Sequence, residues 1–74
     1  MGSSLLRELS DQLSMVNRHI FGSEHNVDQQ KIRVADLERR GQDATSSRTL
    51  LATFEQSLRL HHSHRDRILR EMDG

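Results

Sequence analysis

The sequence contains no cysteine and no proline, and its only aromatic residues are two phenylalanines. Without cysteine, the chain has no disulfide, thiolate metal ligand or thiol nucleophile. The absence of proline leaves nothing of that kind to interrupt a long helix. Only 32% of the 74 residues are hydrophobic. Because so short and polar a chain buries little core alone, we expect it to associate with a second chain.

The chain also has no excess of positive or negative charge. Eleven basic residues balance eleven acidic residues, giving a formal net charge of zero. This balance argues against a general electrostatic attraction to nucleic acid or anionic lipid. No apolar run approaches the roughly 18 residues that span a bilayer, and the N-terminus lacks the pattern of a signal peptide. We therefore expect a cytoplasmic protein with neither a nucleic-acid nor a membrane partner.

Apolar residues recur at alternating spacings of three and four, which is the pattern of a coiled-coil seam. In the first half of the chain the seam contains Leu6, Leu9, Leu13, Val16, Ile20, Val27, Val34 and Leu37. In the second half it contains Leu51, Phe54, Leu58, Ile68 and Met72. The same register places polar residues at the remaining seam positions, which are Ser23, Gln30, His61 and Arg65.

The stretch from Leu37 to Thr45 reads as the end of one helix and the start of the next. Gly41 suits the left-handed conformation that closes a last helical turn, and Asp43 suits an N-cap. The sequence therefore predicts an all-α fold, an antiparallel two-helix hairpin that resembles a coiled coil. Residues 1–74 would form this single domain, with helices near 4–40 and 44–72 and a turn at 41–43.

Gly22 is the weak point of the first helix, because a glycine inside a helix costs about 1 kcal/mol relative to alanine. A break at Gly22, with Ser23 capping a new helix, is the alternative to one continuous helix. The heptad phase is unchanged across Gly22, whereas a loop normally resets it. The pattern favours the continuous helix.

Folding the two halves back on each other near residue 42 makes the polar gaps of the two seams coincide. Ser23 or Glu24 would then lie level with His61, and Val27 with Leu58. The candidate polar layer consists of His19, Glu24, His61 and Arg65. Three interpretations stay open: a structural layer that specifies register, a zinc or nickel site, and a pH-responsive cluster. The spacing lacks a zinc motif, so no metal ligand is assigned.

Three apolar residues lie away from the seam, and we expect them to contact another chain: Phe21, Ile32 and Leu60. A lone hairpin buries one stripe per helix, so a homodimeric four-helix bundle is the predicted assembly. No phosphate loop, activated nucleophile or carboxylate dyad is present in the sequence, so we expect no enzyme, no cofactor and no small-molecule ligand.

The chain resembles short helical-hairpin proteins of rhizobia and related alpha-proteobacteria at Arg18-His19-Ile20, Glu24, the runs 37–45 and 50–58, His61 and Arg65. The resemblance is most specific in the turn and at the start of the second helix. The similarity covers roughly residues 16–72. Ser46 departs from that group, which has Glu three residues after the capping Asp. The resemblance implies a bacterial cytoplasmic protein and assigns no site residue. The predicted function is a non-enzymatic protein-interaction or structural module; the alternative is a small regulator that responds to metal or pH.

Overall fold

The computed structural model describes residues 2–74, with the side chains of residues 4–74. Helix α1 spans Gly2–Arg39 and helix α2 spans Thr45–Asp73. They pack against each other as a helical hairpin whose Cα atoms extend over 60 × 14 × 14 Å. The predicted all-α, two-helix architecture is confirmed. Neither of the described helices combines the length and the apolar character needed to cross a membrane.

Helix α1 continues through Gly22 without a break, as the unchanged heptad phase predicted. A Cβ atom added at Gly22 would meet nothing within 4 Å. The glycine is therefore not required by close packing within the chain. Its backbone lies open on the surface of α1.

The turn ends α1 in the predicted manner. Gly41 has a φ of 71°, in the left-handed region that a glycine adopts without steric cost. The Gln42 amide donates to the Leu37 carbonyl at 2.9 Å, and the Gly41 amide donates to the Glu38 carbonyl at 3.0 Å. This pair of bonds is a Schellman motif, which satisfies carbonyls that the end of the helix would otherwise leave unpaired.

Asp43 stabilises the start of α2. Its Oδ1 accepts the Thr45 amide at 3.0 Å and the Thr45 hydroxyl at 2.6 Å. The first backbone bond of the helix runs from the Arg48 amide to the Ala44 carbonyl at 2.8 Å. Asp43 is thus the predicted side-chain acceptor, but Ala44 occupies the N-cap position, one residue later than predicted.

The core is a single stripe along the line where the helices meet. Its main cluster lies far from the turn and consists of Leu9, Val16, Ile20 and Ile68, with Leu13, Leu58 and Met72 packed against it. Nearer the turn, Val27, Val34 and Ala44 are buried. Most predicted seam residues therefore face the partner helix. Ala44 was missed, although it continues the spacing of α2 backwards from Ser47 and Leu51.

Leu6 is a correction to the predicted seam, because its side chain is 51% exposed. Helix α1 has 38 residues and α2 has 29. Since each helical residue rises about 1.5 Å, the first turns of α1 extend beyond the end of α2. Leu6 has the correct heptad phase, but α2 does not reach it.

The pairing of the helices also differs from the prediction. Leu58, expected level with Val27, packs against the cluster that contains Ile20. Residues 42–44 are not helical. A non-helical residue advances the chain by up to about 3.3 Å, against about 1.5 Å in a helix. The loop therefore displaces α2 along α1 by about one helical turn.

Candidate functional site

The polar seam positions do lie between the helices, but they do not form the predicted network. Gln30 is buried, and its Nε2 donates to the Ser47 carbonyl of α2 at 3.0 Å. Ser23 is half-buried. Gln30 thus ties the two helices together by a side-chain to backbone bond. His61 and Arg65 do not contribute to this bond.

His61 faces His19 across the two helices. Their ring centroids are 5.3 Å apart, and the ring planes are tilted by 54°. Ser57 Oγ lies 3.5 Å from His61 Nε2, one turn earlier on α2. His61 also lines a shallow groove with His19 and Ser23. The structure therefore brings together two members of the candidate layer from different helices.

Arg65 and Glu24 behave differently from the prediction. Arg65 is half-buried, and its Nε is buried with no hydrogen-bond partner among the described residues. Glu24 is exposed and lines a separate groove with Phe21, His25 and Asp28. Because Glu24 follows the seam residue Ser23, its side chain points about 100° away from the seam. Glu24 is therefore not a member of the layer and does not pair with Arg65.

Within the described part of the chain, no group of three or more His, Asp or Glu side chains is placed to hold a metal ion. The best-defined groove has a volume of about 150 Å³ and is lined by Gln12, Met15, Val16, His19 and His64. The geometry therefore gives no support to the metal-responsive alternative.

The three residues expected to contact another chain are all exposed: Phe21 by 77%, Ile32 by 63% and Leu60 by 63%. They do not form one patch. Phe21 and Ile32 line grooves made of α1 residues alone. Leu60 precedes His61 on α2, and so lies on the side of the hairpin where His61 and His19 meet.

A feature that the sequence analysis missed is the contrast between the two long sides of the hairpin. The contrast is confined to the middle of the hairpin, because charged residues precede the seam positions nearer its ends: Glu8, Arg33, Asp36, Arg67 and Glu71. We define the uncharged edge as the residues that directly precede seam positions within 12–29 of α1 and 46–64 of α2. On α1 they are Gln12, Met15, His19, Gly22, Asn26 and Gln29. On α2 they are Ser46, Leu50, Thr53, Ser57, Leu60 and His64. None of these twelve residues is Asp, Glu, Lys or Arg.

Grooves that cross between the helices show that both halves of this edge lie on the same side. His64 shares a groove with Gln12, Met15 and His19, and His61 shares another with Gly22 and Asn26. Arg18, which also lines the second groove, is turned about 100° further from the seam than His19.

The opposite side, the charged edge, consists of the residues that directly follow seam positions within 14–31 of α1 and 48–66 of α2. On α1 they are Ser14, Asn17, Phe21, Glu24, Asp28 and Lys31. On α2 they are Arg48, Ala52, Glu55, Arg59, His62 and Asp66. Seven of these twelve are charged. The heptad phase assigns each of these residues to one side or the other. The contrast in charge between the two sides could therefore be found in the sequence by comparing the residues before and after each seam position.

Comparison of the chain with protein-family models, with curated proteins and with solved structures found no match. Membership of the rhizobial helical-hairpin group therefore stays a prediction from residues 16–72.

Proposed function

We propose that this protein is a non-enzymatic interaction module whose hairpins associate in pairs to form a four-helix bundle. The observation that supports this proposal is the amount of surface that one hairpin leaves exposed. Among residues 4–74, eight large hydrophobic side chains are exposed: Leu5, Leu6, Met15, Phe21, Ile32, Leu50, Leu60 and Leu69. A rod only two helices thick has no interior in which to place them.

The exposed area agrees with this proposal in magnitude. The hairpin exposes 5751 Å². A compact monomer of 8.6 kDa is expected to expose about 4,700 Å². The excess of about 1,000 Å² is close to the roughly 800 Å² per partner that a stable protein–protein interface buries. Pairing of two hairpins would therefore remove the excess.

Sedimentation equilibrium at about pH 7.5 tests the proposal. We expect a mass of twice 8.6 kDa, because pairing covers apolar side chains that a single hairpin leaves in water. A single-chain mass at every concentration reached would contradict it. Circular dichroism on the same samples would show whether the helices are formed, so that an unfolded chain is not mistaken for a folded monomer.

A pH response is the second candidate function, and the contact between His19 and His61 favours it. Histidine is the side chain whose charge normally changes between pH 5 and 8. Two imidazoles with ring centroids 5.3 Å apart repel each other when both are protonated. If the layer lies near a subunit contact, this repulsion would make association depend on pH.

A further inference from the structure

We infer that the uncharged edge is the surface through which two copies of this chain associate. The inference rests on the proposed function, since it names the face that the four-helix bundle would bury. The molecule that covers this edge is a second copy of the chain. In a symmetric pair the same edge of both copies would be in contact.

The charge contrast is the first support. Burying an unpaired charge in an interface costs far more than burying a neutral polar group. The uncharged edge imposes no such cost along residues 12–29 of α1 and 46–64 of α2, because none of its twelve members is charged. On that side of the hairpin, Arg48 of the charged edge forms an ion pair of 3.4 Å with Glu38, which follows the seam residue Leu37. Covering that edge would remove these groups from water.

Exposed apolar side chains are the second support. Met15 of α1 and Leu50 and Leu60 of α2 belong to the uncharged edge and are exposed. They lie beside the seam residues Leu51 and Leu58, which the hairpin itself leaves half-buried. Contact along this edge would extend the existing apolar stripe, as the widened face of a bundle helix requires.

Small residues in the middle of the edge allow a close approach. Gly22 has open space where a Cβ would be. Ser57 lies one turn before His61, which lines the same groove as Gly22. The backbone of a second copy therefore meets little steric resistance here. The uncharged edge, its apolar side chains and the open backbone at Gly22 are the observations from which we infer a second copy as the occupant, with Arg18 in the groove beside them.

A matched pair of variants tests the inference. Leu60→Glu places a carboxylate on the uncharged edge, and Phe21→Glu places one on the charged edge. Both residues are exposed in the hairpin, so both variants should keep its helix content. By symmetry Leu60→Glu buries two charges per dimer, so we expect the dissociation constant to rise by about a hundredfold or more. Phe21→Glu should change it by less than about threefold, as surface substitutions usually do.

The outcomes separate the inference from the proposed function. Loss of the dimer in Leu60→Glu alone supports the uncharged edge. Loss in Phe21→Glu alone, in both variants or in neither overturns it, while a dimeric wild type still supports pairing. A monomeric wild type overturns both. If either variant loses helix content, Thr53→Glu and Ala52→Glu replace them, because these neighbouring exposed residues lie on the uncharged and charged edges.

Discussion

The stability of the turn depends on whether the carboxyl group of Asp43 is ionised. The pKa of Asp43 is lowered by the hydrogen bond from the Thr45 hydroxyl, then by the Thr45 amide, and also by the charge of Arg48. A lowered pKa in the folded state means that folding favours the ionised form. The bonds of Asp43 therefore contribute their full stability above the unfolded value of about 3.9. That stability is lost as the pH falls through the folded value.

Two substitutions of Asp43 test this dependence by thermal unfolding. We expect Asp43→Ala to lower the melting temperature at neutral pH, because the Thr45 amide loses its acceptor. Asp43→Asn should remain closer to wild type than Asp43→Ala, since its side-chain amide oxygen still accepts hydrogen bonds from Thr45. As the pH is lowered below about 4, the advantage of wild type over Asp43→Ala should shrink. An advantage that stays constant down to about pH 2 would show that ionisation of Asp43 does not stabilise the turn.

Helix α2 presents a narrow buried stripe, and two adjacent residues show how narrow it is. Ile68 is 2% exposed and belongs to the main cluster, whereas Leu69 is 40% exposed. We expect Ile68→Ala to lower the free energy of unfolding by about 2–5 kcal/mol, because it leaves a cavity between the helices. Leu69→Ala should cost clearly less.

Urea denaturation of the two alanine variants, at one protein concentration, measures this difference. A fixed concentration is needed because association adds to the apparent stability. Equal losses for Ile68→Ala and Leu69→Ala would contradict the described packing.

The element scale also shows what the sequence could and could not predict. The 3-4 spacing identified Leu9, Val16 and Ile20 as buried, because helix geometry alone decides which residues share a face. The same spacing could not place Leu6, whose burial depends on how far α2 extends. Glu24, by contrast, could have been placed off the seam from the spacing alone, because it directly follows the seam residue Ser23. The contact between His19 and His61 depends on the geometry of the loop, which heptad spacing does not determine.

For the whole molecule, we expect the proposed association through the uncharged edge to depend on pH. His19, His61 and His64 line its grooves, with Arg18 beside them and Arg65 one turn beyond His61. Among the described residues that line these two grooves there is no Asp or Glu. Protonation of the imidazoles would therefore add positive charge with no nearby carboxylate to offset it.

We expect the dissociation constant of the dimer to rise by at least about tenfold between pH 7.5 and 5.5, measured by sedimentation equilibrium. His61→Gln should reduce this change, because it removes one imidazole from the groove that borders the uncharged edge. The neighbouring His62, which follows His61 onto the charged edge, provides the matched control. His62→Gln should leave the change intact. If both variants retain the full change, or if wild type shows none, the histidine layer is not the pH-responsive group.

The distance of the main cluster from the turn determines how the hairpin opens. The cluster joins Leu9 to Ile68, which lie near opposite ends of the chain. Closing so long a segment costs more chain entropy than closing the short loop at Gly41. Without that cluster, the two helices would separate progressively, beginning at the end of the hairpin that lies opposite the turn. Because this cluster holds the open end and the hydrogen-bonded turn holds the other, we expect the hairpin to unfold as a unit.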